Sequence, residues 1–142
     1  MKKKKRKITI RSAKNKAVRM QNEIAKKISE LTGIPYGRDR LIQGREMGQP
    51  GTDVKLIGKA KELFNFAVEA KDQMRWSIIP WIKQAQNNIG DFDSWLLFCK
   101  RSSRLKEERV SMKVIMEADT FFNILKQLNE VKKEKRKSKN EF

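Results

Sequence analysis

This 142-residue chain contains no histidine. That excludes a Ser-His triad, a histidine-based zinc site and any nuclease that uses a histidine base. It has one cysteine, Cys99, so no intramolecular disulfide can form, and a cytoplasmic setting is expected. Cys99 sits in Leu96-Leu97-Phe98-Cys99 and reads as a small apolar side chain, because no histidine is there to activate it. No run of about 18 apolar residues occurs, so no membrane span is expected. The basic N-terminus is not followed by an apolar segment and does not read as a signal peptide. With neither an internal repeat nor a composition break, residues 1–142 are expected to form a single domain.

Positive charge is what the chain has in excess, with 34 Lys and Arg against 17 Asp and Glu. Residues 1–7 carry +6 and residues 132–142 a net +4 of the total +17, so the body between them keeps the remaining +7. Residues 1–10 are expected to be a basic, flexible arm and residues 132–142 a basic tail that frays. A body that stays basic without its ends attracts polyanions, nucleic acid first. An anionic membrane surface or an acidic protein comes second.

Periodicity predicts the order α-β-β-β-α-β-β-α. Ala17, Met20, Ile24, Ile28 and Leu31 make one stripe of a helix over 13–31, which Gly33 and Pro35 end. Strands are expected over 41–47, 53–57 and 64–71, with a link at 58–63 long enough for one helical turn. Short links suggest an antiparallel meander. A second helix is expected over 76–89 on Ile78, Ile82, Ala85 and Ile89, with Pro80 confined to its first turn. Residues 95–100 and 109–116 read as strands. Asp119 or Thr120 can cap a last helix through about 131, with Phe121, Phe122, Leu125 and Leu128 as its buried face. The fold class is α/β (α+β), with a mixed central sheet of about five strands flanked by helices.

Chemistry concentrates in Val68-Glu69-Ala70-Lys71. Alternation on a strand puts Glu69 and Lys71 on one face. Asp53 follows the turn Gly51-Thr52, and pairing of the two strands brings Asp53 beside Glu69. Two carboxylates hold a hard ion such as Mg²⁺ or Mn²⁺, which polarises a phosphodiester. Lys71 can orient water or stabilise charge at phosphorus. Ala70 is small, so its backbone carbonyl can also reach the metal. On the first helix, Gln21 lies about 60° and Glu23 about 100° from the centre of the apolar stripe, on opposite sides. Lys14, Lys16, Arg19, Arg45, Arg101 and Arg104 are candidates for DNA contact, giving affinity and position rather than sequence readout. Trp76, Trp81 and Trp95 read as core or as a dimer surface. A solvated ion cluster at Asp53, Glu69 and Lys71 is the bland alternative.

Gly51-x-Asp53-Val54 followed by Val68-Glu69-Ala70-Lys71 resembles the core of the PD-(D/E)xK nucleases, most closely the archaeal-type Holliday-junction resolvases and similar phage proteins. Lys14-Asn15-Lys16-Ala17, Arg45-x-Met47-Gly48 and Lys83-Gln84-Ala85 are similar to further stretches of that family, over about residues 12–116. Ala17 departs from the family's usual glycine. The family's first-helix glutamate aligns best with Gln21, while the nearest acid is Glu23. The resemblance implies a Mg²⁺-dependent endonuclease that resolves four-way junctions by paired nicks. It implies a catalytic role for Gln84, and a homodimer formed through the helix at 76–89 or the last strand. A RecB-like or restriction-type nuclease on other DNA, and a non-catalytic basic binding protein, are the alternatives.

Overall fold

The computed structural model describes residues 9–46 and 48–140. The basic stretch at residues 2–7, Met47 and the last two residues lie outside them. The fold is mixed α and β: helix α1 (Ile10–Thr32), strands β1 (Ile42–Gly44) and β2 (Val54–Leu56), helix α2 (Lys59–Leu63), strand β3 (Phe66–Asp72), helix α3 (Ile78–Asn87), strands β4 (Ser94–Arg101) and β5 (Val110–Ile115), and helix α4 (Ala118–Asn140).

The α1 helix begins earlier than the apolar stripe indicates, because Thr9 caps it by accepting from the Ser12 N–H at 3.2 Å. The expected arm therefore ends before Ile10. Gly33, at φ 74°, ends the helix and donates its N–H to the Ser29 carbonyl at 2.8 Å. Met20, Ile24 and Ile28 are buried, but Leu31 is 73% exposed because the helix end overshoots the body. The α3 helix starts at Ile78 after Ser77, which leaves Pro80 in its first turn, where a missing N–H costs no helical bond.

The expected antiparallel meander of the first three strands is corrected, and the five strands divide between two sheets. The strands form a two-stranded antiparallel sheet, β1-β2, and a three-stranded sheet in the order β3-β4-β5. β3 and β4 are parallel and β4 and β5 antiparallel. Parallel neighbours need a crossover, and α3 is that crossover. The hairpin meets the larger sheet through one backbone bond, from the Asp53 N–H to the Val68 carbonyl at 2.8 Å.

Two apolar layers follow. On one face of the sheet, Met20, Ile24, Ala25 and Ile28 of α1 pack with Ile42, Val54, Leu56 and Val68. On the other, Trp81 and Ala85 of α3 pack with Ala67, Trp95, Leu97 and Cys99. The apolar side of α3 is thus used in the core. Cys99 is fully buried, and burial pushes its thiol pKa up.

The last helix departs furthest from expectation. It runs on to Asn140, and its basic tail is helical. Lys, Arg and Glu are good helix formers, and no Gly or Pro follows Gly90 to stop it. Its predicted buried face is exposed: Phe121, Phe122, Leu125 and Leu128 all lie on the surface, and Thr120 is the one buried residue of the helix. Among the described residues, no helix is long and apolar enough to cross a membrane.

Candidate active site

The site lies along the free edge of β3, where the hairpin meets the sheet. Odd-numbered residues of β3 turn their amides toward β4, as the Gln73 N–H to Lys100 carbonyl bond shows at the strand's end. Even-numbered residues turn theirs to the free edge. Asp53 occupies that edge with both backbone and side chain. Its N–H bonds Val68, and its Oδ2 accepts from the Ala70 N–H at 2.7 Å. The Ala70 carbonyl points to the same side of the strand as its N–H.

The turn before Asp53 is held by Arg45. Its N–H bonds the Asp53 carbonyl at 2.9 Å and its Nε donates to the Thr52 carbonyl. Gly51, at φ 110°, leaves room for the guanidinium, since a Cβ there would stand 3.1 Å from Arg45 Cζ. Arg45 is therefore a fastener of the acidic loop rather than a free cation.

Glu69 faces α3, together with Lys71, as strand alternation requires. Its Oε1 accepts from the Asn88 side-chain amide at 2.7 Å. Lys71 Nζ donates to Gln84 Oε1, also at 2.7 Å, and lies 6.0 Å from the Trp81 ring centre. Gln84 and Asn88 are four residues apart, so one face of α3 serves both charged groups. Asn88 was not legible as a site residue. Its only signal was that spacing from Gln84.

Glu69 is 1% exposed, and its Oε2 is the one buried side-chain oxygen or nitrogen without a hydrogen-bond partner among the described residues. The reason is chemical. Its neighbour Asp53 is another carboxylate, and two ionised carboxylates only accept. Burial, first, and the Asp53 charge, second, push the Glu69 pKa from 4.5 up to about 7. A proton shared with Asp53 acts in the same direction, whereas Asn88 and the Lys71 charge pull it down. A proton or a cation satisfies Oε2 equally well.

The two candidates on α1 separate. Gln21 is 7% exposed and donates its side-chain amide to Asp53 Oδ1 at 3.4 Å. Glu23 lies on the surface, paired with Lys100 at 2.9 Å. Gln21 thus stands beside the two acids, and among the described residues no cluster of three acidic, histidine or cysteine side chains forms.

The basic candidates are not equivalent. Lys16 donates to the Ser102 carbonyl at 3.5 Å, and Ser102 is tied through its N–H and hydroxyl to Asp72 at the end of β3. Arg101 donates to the Glu108 carbonyl and closes the β4–β5 connection. Lys14, Arg19 and Arg104 are exposed, and among the described residues no hydrogen bond or ion pair engages their side chains. Lys71, Lys16 and Arg101 therefore gather at the C-terminal ends of β3 and β4.

Asn88→Ala removes a donor from a buried carboxylate. It is expected to cost about 1.5–3 kcal/mol, the range for hydrogen bonds to charged groups, measured by urea unfolding at pH 8. Asn88→Asp is expected to cost more, because a third acid then faces Glu69.

Comparison of the chain with protein families, curated proteins and solved structures finds no match.

Proposed function

We propose that the chain is a cytoplasmic, Mg²⁺-dependent, structure-selective DNA endonuclease of the PD-(D/E)xK kind, which resolves four-way junctions as a homodimer by paired symmetric nicks. The observation that carries the reading is the buried, partnerless Oε2 of Glu69 beside Asp53, with Lys71 on the same face. Burying two acids together is costly unless a cation or a proton sits between them. The donor set of Asp53, Glu69 Oε2 and the Ala70 carbonyl is all oxygen, which fits Mg²⁺ or Mn²⁺. When bound, such an ion supplies Lewis-acid polarisation of a phosphodiester.

The chain's own residues have distinct tasks. The Ala70 N–H and Gln21 fix the Asp53 carboxylate. Asn88 fixes one oxygen of Glu69 and leaves the other free. Gln84 holds the Lys71 ammonium at the strand end, where it can meet a non-bridging phosphate oxygen. Lys14, Lys16, Arg19, Arg101 and Arg104 supply phosphate affinity on the flanks. One chain has one such site, so two symmetric nicks require two copies.

Gln21 favours a second reading. With a neutral amide as the third group, the site has the charge of a pair, which suits a non-catalytic basic DNA-binding protein as well. A panel of four-way, forked, linear duplex and single-stranded DNA, with Mg²⁺ and with EDTA, separates the readings. The expected result is Mg²⁺-dependent nicking, fastest on the four-way junction. Equal cutting of all duplexes points to a RecB-like or restriction-type enzyme. Salt-sensitive binding without metal-dependent nicking overturns the nuclease reading.

A further inference from the structure

The two faces of the β1–β2 hairpin are used differently. Ile42, Val54 and Leu56 turn to α1 and are buried. Alternation therefore turns residues 41, 43 and 45 of one strand and 53, 55 and 57 of the other the opposite way. These positions pair across the hairpin as three rungs. Arg45 donates its N–H to the Asp53 carbonyl at 2.9 Å, Gln43 stands opposite Lys55, and Ile57 donates its N–H to the Leu41 carbonyl at 3.0 Å. Val68 of β3 also turns to α1, so Glu69 and Lys71 stand on the same side as the rungs. On that side α3 covers the larger sheet. The hairpin is left open there: Lys55 is exposed, and Leu41 and Ile57 expose 40% and 42% of their surface.

We propose that this face is a subsite for a DNA strand leaving a duplex. Lys55 and Gln43 take the phosphate next to the one at the acidic pair, and Leu41 and Ile57 meet an unpaired base beyond it. The subsite rests on the DNA reading above for its occupant, and position and charge support that occupant. Rungs two residues apart on an antiparallel ladder are separated by about 7 Å, which is comparable to the separation of neighbouring phosphates along one strand. A phosphate held at Asp53 and Glu69 therefore puts the next one over the second rung. Lys55 offers an ammonium there, and among the described residues no hydrogen bond or ion pair engages it. Gln43 accepts the Asp39 N–H through its Oε1 at 3.3 Å, which fixes the side chain and leaves its amide hydrogens to donate. The turn before the third rung adds Arg38 and Arg40 against one acid, Asp39. That excess of positive charge fits a polyanion. The third rung is apolar, which a phosphate avoids and a base face does not. Two half-exposed side chains offer too little area to unstack a paired base, but an unpaired base is already free of that cost. The rung thus favours the strands at a branch over a continuous duplex.

Binding of the full chain in EDTA, to a four-way junction and to a linear duplex of one of its arms, tests it. The wild-type chain is expected to prefer the junction and to change the fluorescence of 2-aminopurine placed at the branch. Leu41→Ser with Ile57→Ser is expected to lower that preference about fivefold, the low end for one base contact, and to abolish the fluorescence change, with duplex binding and melting temperature unchanged. Leu41→Met with Ile57→Val is expected to keep both. Lys55→Ala is expected to weaken binding to both DNAs and to lower the slope of log affinity against log salt by about 0.7–0.9, the share of one phosphate. Equal affinity of the wild-type chain for the two DNAs overturns the proposal. So does a preference that survives both serines, or a salt slope that survives Lys55→Ala. Leu41→Ser and Ile57→Ser singly, each at an exposed position, carry the test if the double variant does not fold. A fall in mass by light scattering on introducing the serines assigns the face to a second copy and overturns the proposal too. Loss of the preference in a chain that shows no metal-dependent nicking fails the nuclease reading and keeps the subsite. Nicking by the wild-type chain, with the preference intact in the serine variant, does the reverse.

Discussion

Asp53→Asn and Glu69→Ala are expected to abolish metal-dependent cleavage of a four-way junction while leaving junction binding nearly unchanged. In Asp53→Asn the new amide keeps an oxygen for the Ala70 N–H, which Asp53 now satisfies at 2.7 Å, so the edge contact and the fold survive while one negative charge is lost. Glu69→Ala removes the partnerless oxygen altogether. Either change takes away half of a two-carboxylate donor set, and a divalent ion then has too little charge to hold it. Binding is expected to behave differently, because on the proposed reading its energy comes from phosphate contacts by Lys14, Lys16, Arg19, Arg101 and Arg104, none of which is altered. Gel shifts at fixed salt and single-turnover cleavage measure the two quantities separately. A fall of at least about a thousandfold in rate is expected, the scale on which removing key transition-state stabilisation acts. Cleavage at the wild-type rate by either variant removes the pair from any catalytic role.

Glu69→Gln is expected to stabilise the metal-free protein at pH 8 relative to wild type, and to lose that advantage by about pH 4.5. The sign follows from where the proton goes. The folded-state pKa of Glu69, about 7, lies above its ordinary value of 4.5. The folded state therefore binds the proton more tightly than the unfolded chain does. Its contribution to stability is fully present below pH 4.5 and is lost as the pH rises through 7. At about 1.4 kcal/mol per unit, the change across that window is on the order of 3 kcal/mol. The glutamine amide mimics the neutral acid and does not titrate, so the difference between the two proteins isolates this group. Melting in EDTA at pH 4.5, 6 and 8 measures it, with a difference of roughly 10 °C expected to open between the ends for a chain of this size. A difference independent of pH would show that folding leaves the Glu69 pKa at its ordinary value and that neither burial nor Asp53 shifts it.

Much of this was legible residue by residue. Strand alternation alone put Glu69 and Lys71 on one face, and both reach α3. The Gly-rich turn before Asp53 marked the close approach that Arg45 and Gly51 make. Pro80 located the start of α3 to within a residue or two. Pairing was less legible, because hydrogen-bond partners of a strand are not encoded in its own period. A short link between β2 and β3 suggested a meander, yet β3 bonds β4 and only Asp53 bridges the gap. The angular position of Gln21 on α1 favoured it slightly over Glu23, but both residues border the apolar stripe, on opposite sides, and the stripe does not say which border meets the sheet. Packing against Gly44 and Asp53 decided it.

The sequence by itself determined the periods: which residues share a helix stripe or a strand face, which chemistry is excluded by the absence of histidine, and where charge accumulates. These are local properties, set by backbone geometry and side-chain type. Only the tertiary structure decided what each face meets. It turned the apolar side of α3 into core and left that of α4 bare, although both are amphipathic, because amphipathicity states that a face avoids water and not what covers it. It placed Asp53 over the free edge of β3, buried Glu69 beside it, and left one oxygen without a hydrogen-bond partner. That oxygen is a product of two distant segments meeting, and no pattern within either of them contains it.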